Sequence, residues 1–280
     1  MTDVVKHECG IALIRLLKPL EYYQIKYGTW MYGIHKLYLL MEKQHNRGQD
    51  GAGVVSLKFD LKPGEKYLDR SRSNEASPIN KVYKKIKSPL AKAEKKNPSR
   101  LKDTLWAKNN LPFAGELYLG HLRYGTYGGN KLKSVHPVIR QNNWITRNLV
   151  LAGNFNLTNV DELFQVLTDL GQHPKDYSDT VTMLENIGHF LDRENQRLFD
   201  HYKQQDYTNK EITGLISDHL DVAKVLRKKK KKWDGGYVIA GMIGHGDAFV
   251  TRDPWGIRPA YYYYDDEIAV VTSERPVIQT

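Results

Sequence analysis

The sequence predicts an α+β chain of two antiparallel sheets packed together, with helices outside. Three observations predict it. Apolar runs of strand length gather near both ends of the chain. Helical periodicity dominates the middle, so the order is strands, then helices, then strands. The regular alternation that builds a doubly wound parallel sheet is missing, and no internal repeat is visible.

Residues 9–17 read as a buried first strand. From Tyr27 to about Gln44, the apolar residues Trp30, Met31, Ile34, Leu37, Tyr38 and Met41 follow helical spacing. Gly48 and Gly51 then turn the chain, and Ala52 to Phe59 reads as a second strand. A lysine-rich stretch follows, with Pro63, Pro78, Pro89, Pro98 and Pro112. The prolines predict little long regular structure, beyond a short helix near Asn80 to Ile86, in a surface insertion over about 62–112. Leu117 to Tyr124 and Leu149 to Ala152 read as strands, separated by a loop with Gly125, Gly128 and Gly129. Asn159 is an expected helix cap with acids in the first turn, and that helix ends near Gly171. Ser178 or Asp179 caps another, and a third runs from about Glu211 to Arg227. Strands close the chain at Tyr237–Ile243, Ala248–Thr251, Ala260–Tyr264 and Ile268–Thr272.

The 280 residues, 40% hydrophobic and 11% aromatic, suffice for a large core. No apolar run approaches the roughly 20 residues of a membrane span. The N-terminus lacks the apolar segment of a secretory signal. One cysteine fits a reducing, cytoplasmic setting. The net charge of +10 invites nucleic acid as a partner. Its distribution argues against it, because the excess lies mainly between Lys62 and Lys108 and in the run from Arg227 to Lys232. Neither stretch is interleaved with aromatics that stack on bases, and such runs are usually solvated faces.

Cys9 is the only cysteine, in Lys6-His7-Glu8-Cys9-Gly10 ahead of an apolar run. A single thiol forms no internal disulfide and no multi-cysteine zinc site. It is either a small buried hydrophobe or a nucleophile. Removal of Met1 to Glu8 would give Cys9 a free α-amine, with an ordinary pKa of about 7.7–8.0. That amine could serve as base for its own thiol at neutral pH.

Five further clusters bear on chemistry. Arg47-Gly48-Gln49-Asp50-Gly51-Ala52-Gly53 is a turn. Gly120-His121-Leu122-Arg123-Tyr124-Gly125-Thr126 and Ala152-Gly153-Asn154-Phe155-Asn156-Leu157-Thr158-Asn159 end strands. Ser178-Asp179-Thr180 opens a helix, and Arg252-Asp253-Pro254-Trp255-Gly256-Ile257-Arg258-Pro259 is a charged turn. Arginine matches a carboxylate with its fork, aspartate matches an ammonium, and an asparagine amide beside a backbone N–H can receive an oxyanion. Each residue also has an ordinary structural role: arginine–aspartate pairs brace turns, Asn and Gly form them, and His121 reads more readily as a packed histidine than as an acid or base.

In this order the clusters resemble the class II glutamine amidotransferases. The Arg-Gly-Gln-Asp and Arg-Asp-Pro-Trp-Gly-Ile-Arg-Pro turns most resemble the amidophosphoribosyltransferase branch. The resemblance runs from Glu8 to about Glu274. It implies a four-layer αββα sandwich of the N-terminal-nucleophile hydrolase type, with residues 1–8 as propeptide and 9–280 as the amidotransferase domain. It implies glutamine hydrolysis through a γ-glutamyl thioester on Cys9. Asn154 and the backbone N–H of Phe155 would receive the oxyanion. Arg123 would hold the α-carboxylate of glutamine, Asp179 its α-ammonium, and Arg47 would order the site. Ammonia would then convert phosphoribosyl diphosphate to phosphoribosylamine in purine synthesis. The resemblance further implies a phosphoribosyltransferase domain in cis, a homo-oligomer when full length and magnesium for the diphosphate substrate. For this segment it implies no cofactor and no metal.

The sequence departs from the family pattern at two neighbouring positions. Phe155 stands where glycine is usual, and Gly153 where histidine commonly precedes the asparagine. A third departure is that no acidic pair with a Gly/Thr phosphate loop follows Ser273-Glu274, so the phosphoribosyltransferase half is expected to be absent from these 280 residues. Two other readings stay open: the amidotransferase domain of a different ammonia-using synthase, and a basic binding domain that has kept the fold without the chemistry.

Overall fold

A computed structural model describes residues 8–125, 131–229 and 232–279. The expected loop residues Thr126, Gly128 and Gly129, most of the expected propeptide, and Lys230 and Lys231 of the basic run lie outside the described residues. The architecture is α+β, with two antiparallel sheets and helices, as the sequence predicts. The chain divides into two compact units: Met1–Pro137, Ala152–Asn154 and Pro259–Thr280 form the first, Val138–Leu151 and Phe155–Arg258 the second.

The first unit is built on a sheet of β1 (Gly10–Leu16), β2 (Gly51–Leu57), β3 (Leu68–Ser73), β4 (Leu117–Arg123), β9 (Tyr261–Tyr264) and β10 (Ile268–Thr272). Its order is β3-β2-β4-β1-β10-β9. The residues of β2 and β4 are buried on both faces, which accounts for their near-continuous apolar composition. Helices α1 (Leu20–Tyr27), α2 (Tyr32–Lys43), α3 (Pro78–Lys96) and α4 (Thr104–Asn110) supply much of the surrounding core. The short α9 (Arg275–Ile278) packs near β10.

Two expectations change here. The helix expected from Tyr27 starts at Tyr32, and a separate helix, α1, precedes it and ends at Tyr27. Gly28 caps α1 in the left-handed region at φ 73°, so the chain turns before α2 begins. The lysine-rich stretch holds far more regular structure than its prolines predict. Its β3 pairs with β2 along six residues, and α3 runs for 19 residues through Pro89. The reason lies in the apolar spacing. Ile79, Val82, Tyr83, Ile86 and Leu90 bury one face of α3, leaving most of its lysines to solvent. Pro78 costs nothing in the first turn, where an N–H would lack a partner. Pro89 forfeits one hydrogen bond, which the buried face outweighs.

Charged residues close the far end of these strands. The side chains of Lys58 and Asp69 are 4% and 3% exposed and 3.8 Å apart. Lys58 Nζ donates to Leu111 O at 2.8 Å, and Asp69 Oδ2 accepts the Phe113 N–H at 3.0 Å. Glu116 accepts from Phe59 N–H at 3.1 Å and pairs with Lys108 at 2.5 Å. Burial holds the Lys58 ammonium pKa below its ordinary value. It is retained as a charge only because these acceptors surround it.

The second unit contains a sheet ordered β5-β6-β7-β8, formed by β5 (Val138–Arg140), β6 (Leu149–Leu157), β7 (Gly235–Ile243) and β8 (Ala248–Arg252). Residues 152–154 of β6 belong to the first unit. Helices α5 (Val160–Asp169), α6 (Asp179–Lys203), α7 (Asn209–His219) and α8 (Val222–Lys229) complete it. Ser178 caps α6, its Oγ accepting the Val181 N–H at 3.3 Å. Asn159 precedes α5 without a capping bond. Its amide instead binds Lys232 O at 2.8 Å, and its Oδ1 accepts the Asp234 N–H at 3.2 Å. The single helix expected from Glu211 to Arg227 divides at Leu220–Asp221, where Leu220 turns extended at ψ 103°.

The Arg-Asp-Pro-Trp-Gly-Ile-Arg-Pro turn is braced from within this unit. Asp253 accepts the N–H groups of Ile257 at 2.9 Å, Arg258 at 3.1 Å and Tyr237 at 3.3 Å. Arg252 donates to the carbonyls of Gly256, at 2.6 Å, and Arg258. Burial pushes the Asp253 carboxyl pKa up, but these backbone donors outweigh it and hold it below its ordinary 3.8.

Two stability predictions follow from these charges. Asp69→Ala strands the buried Lys58 and should lower the unfolding free energy by about 3 kcal/mol, read from the urea midpoint. Lys66→Ala, which removes a side chain 75% exposed, should leave the midpoint unchanged. Asp253→Asn should destabilise the chain at pH 7. A carboxylate with a depressed folded pKa stabilises above its unfolded pKa and loses that contribution as pH falls through the folded value. The difference between wild type and Asp253→Asn should therefore shrink below about pH 4, which thermal melts across pH would show.

Candidate active site

The position of Cys9 follows from strand register. β1 pairs with β4 with Gly10 opposite Leu122, so Cys9, one residue earlier, meets the end of β4. There Cys9 Sγ accepts the Tyr124 N–H at 3.5 Å and lies 3.8 Å from Tyr124 O. Cys9 is half-buried. The start of β1 is fixed by Ser273, whose Oγ accepts the Ile11 N–H at 2.9 Å, and by Gln44, which donates to Ile11 O at 2.9 Å.

β2 pairs with the other edge of β4, with Gly51 opposite Arg123. This brings the Arg47–Gly53 turn to the same end of β4. Gly48 allows the approach: a β-carbon there would lie 2.6 Å from the backbone carbon of Arg123. Asp50 stitches the turn to the strand. Its N–H donates to Arg123 O at 3.0 Å, and its Oδ2 accepts the Gly125 N–H at 2.8 Å.

Arg47 reaches back to Cys9. Its Nε donates to Cys9 O at 3.3 Å and its Nη2 to Glu8 Oε2 at 3.0 Å. Its Nη1 lies 3.6 Å from Glu274 Oε1, which also accepts from Asn46 at 3.1 Å. Asn154, buried on β6, donates from Nδ2 to the same Glu8 oxygen at 3.2 Å. Two donors thus converge on one carboxylate oxygen directly before Cys9.

Two buried imidazoles lie behind Asn154. His121 Nε2 is 3.1 Å from Gly153 O, and the Gly153 N–H donates to His136 Nδ1 at 3.3 Å. Burial drives the His121 pKa well below its ordinary value. Burial, with Arg123 beside it, lowers that of His136 to about 4. Both rings are therefore neutral at pH 7, and His121 is the packed, hydrogen-bonded histidine that the sequence suggests.

Of the six sequence-predicted site residues, Cys9, Arg47, Arg123 and Asn154 belong to the first unit. Arg123 ends β4 with 7% exposure. Phe155 and Asp179 belong to the second. Phe155 follows Asn154 in extended backbone, which tolerates a β-carbon, and its ring packs against the apolar cluster of that unit. Asp179 is the first residue of α6, and its Oδ1 accepts from Thr180 N–H at 2.6 Å.

Sequence reasoning missed Glu8, Glu274 and His136 as neighbours of these groups. The signal for Glu8 was its adjacency to Cys9. Glu274 and His136 carried no local signal, since long-range pairing brings them in. Among the described residues no group of three or more His, Cys, Asp or Glu side chains could hold a metal ion, and no helix is long and apolar enough to cross a membrane.

No family model matches the chain. Similar proteins are known nonetheless. The chain is 26% identical to an amidophosphoribosyltransferase of Haemophilus influenzae over 80% of its own length and 34% of that protein. It is 30% identical to one of Schizosaccharomyces pombe over 90% of its length and 36% of that protein. It is 28% identical to one of Lacticaseibacillus casei over 81% of its length and 83% of that protein. Its backbone resembles the glutamine phosphoribosylpyrophosphate amidotransferase of B. subtilis solved with ADP and GMP, with a TM-score of 0.59 and 22% identity over 97% of this chain and 43% of that one. The last likeness shows the fold that the sequence predicts. The chain spans about a third of the length of the first curated relatives it matches. Over most of its length the chain is a relative of the amidophosphoribosyltransferases.

Proposed function

We propose that this chain hydrolyses glutamine to glutamate and ammonia through Cys9, after removal of residues 1–8, and that the ammonia converts phosphoribosyl diphosphate to phosphoribosylamine. The observation that carries the proposal is the convergence of Arg47 and Asn154 on the Glu8 carboxylate beside Cys9. Donors that hold a carboxylate oxygen next to a thiol can hold an oxyanion formed on that thiol.

In the processed chain the Cys9 thiol gives its proton to its own α-amine, and the thiolate attacks the γ-carbonyl of glutamine. The carbonyl π pair moves onto oxygen, where the Asn154 amide N–H and the Phe155 backbone N–H receive it. Collapse of this intermediate breaks the C–N bond, and the α-ammonium protonates the leaving nitrogen as ammonia. Water, deprotonated by the same amine, attacks the thioester and releases glutamate and the thiol. Arg123 binds the α-carboxylate of glutamine, Asp179 its α-ammonium, and Arg47 keeps the Cys9 backbone in place. Magnesium belongs to the phosphoribosyl diphosphate step. A phosphoribosyltransferase partner is part of the same proposal, supported by relatives of which this chain covers about a third; the homo-oligomer rests on the family resemblance alone.

Until the segment is removed, Glu8 occupies Asn154, one of the two donors the oxyanion needs. Intact mass and glutaminase activity, followed together after purification, should therefore change in step: activity appears only as Met1 to Glu8 is lost. Cys9→Ala should abolish turnover, and ammonia release by that variant would overturn the mechanism. Asn154→Ala should lower kcat by about 100-fold or more in the processed chain, with a smaller effect on KM, as expected for a group that acts on the transition state.

A further inference from the structure

We infer that His121 and His136 are positioning residues for the glutaminase reaction, gripping the backbone of Gly153 between them so that Asn154 presents its amide to the oxyanion. The inference rests on the glutaminase reading above. Its ground is a gap in hydrogen bonding. The β5–β6 ladder ends at Val138 and Leu151. Two residues on, Gly153 is buried, and its N–H and C=O need partners. Two imidazoles of the first unit supply them.

The donor pattern fixes both tautomers. A carbonyl oxygen only accepts, so the contact of 3.1 Å to Gly153 O puts the proton of His121 on Nε2. Its Nδ1 is then unprotonated, and it is buried without a hydrogen-bond partner among the described residues. The Gly153 N–H donates to His136 Nδ1 at 3.3 Å, so His136 carries its proton on Nε2. The ring centroids are 4.5 Å apart, and the residues are 1% and 7% exposed. Arg123 and Arg72 bear on His136 and oppose a further positive charge there. Neutral rings with fixed tautomers are what the grip requires.

The mechanical link is the peptide plane. The Gly153 carbonyl lies in one rigid plane with the nitrogen and Cα of Asn154. His121 sits between Ile11 on β1 and Gly53 on β2, in the strand that ends in Arg123. The oxyanion donor is thereby referenced to the strands that fix Cys9 and Arg123, and small displacements of such a donor are costly in rate.

The test is steady-state glutamine hydrolysis by the full chain, with Cys9 alkylation by iodoacetamide measured in parallel. His121→Leu and His136→Leu should lower kcat by about 10- to 100-fold while KM changes less than about threefold. Their alkylation rates should match wild type, because alkylation forms no oxyanion. His136→Asn, whose Oδ1 can accept from Gly153, should stay within about threefold of wild-type kcat. Leucine variants with wild-type kcat overturn the inference, as do folded variants that lose alkylation together with kcat. Should the leucine variants fail to fold, 15N shifts of the wild-type imidazoles decide: protons on Nε2 of both rings support the grip, and a proton on Nδ1 of His136 overturns it. A wild-type chain that has lost residues 1–8 and still releases no ammonia overturns the glutaminase reading and this inference with it. An active wild type with unaffected leucine variants overturns the inference alone.

Discussion

The site depends on the hydrogen-bond register of β4. This strand has β1 on one side and β2 on the other, with Gly10 opposite Leu122 and Gly51 opposite Arg123. Side chains alternate along a strand, so a slip of one residue on either side would send every side chain of the slipped strand to the wrong face. The register is closed at both ends by different chemistry. At one end Gly48 lets the Arg47 turn lie against Arg123, and Asp50 bonds to the backbone on both sides of Tyr124. At the other end Lys58, Asp69, Glu116 and Lys108 bind the loops that leave the sheet. Charge pairs buried this deeply add little net stability over an apolar core, but they penalise any register that separates them.

Much of this was legible in the sequence, for identifiable reasons. β1, β2, β4 and β7 announce themselves as apolar runs because both of their faces are buried. Cys9, Arg47, Arg123 and Asn154 sit in clusters of unusual composition at strand ends, where composition reflects local geometry. The lysine-rich stretch misled because its prolines were read as breakers, when Pro78 starts a helix and Pro89 is carried by the buried face of α3. The charged strand β3, with only short alternation, gains its place from the partner β2, which a local window does not contain. Glu274 and His136 are brought to the site by pairings and turns far from Cys9 in sequence, and no spacing rule reaches them.

Glu8 gives the arrangement its order in time. The Arg47 guanidinium and the buried Asn154 amide each need an acceptor, and unmet donors at such a place are costly. The residue that precedes Cys9 supplies that acceptor from within the chain. Under the glutaminase reading the same carboxylate competes with glutamine for Asn154 for as long as it remains attached. Under the glutaminase reading, cleavage before Cys9 does two things at once: it creates the amine base and it vacates the oxyanion donor.

The exchange at residues 153 and 155 is intelligible in the same terms. Successive side chains of a strand point to opposite faces, so Asn154 and Phe155 do not compete for one space. The ring of Phe155 joins the apolar cluster of its own unit, while extended backbone leaves its N–H unaltered in kind. Glycine is needed at such a position only where the backbone must adopt angles closed to a β-carbon, and a strand makes no such demand. What an oxyanion donor does need is a backbone held still on the residue before it. In this chain that restraint comes from two neutral imidazoles bonded to the Gly153 backbone rather than from a side chain at position 153 itself. Under the glutaminase reading the bonds of the Gly153 backbone to His121 and His136 would set the geometry of Asn154, leaving the side chains at 153 and 155 no part in it.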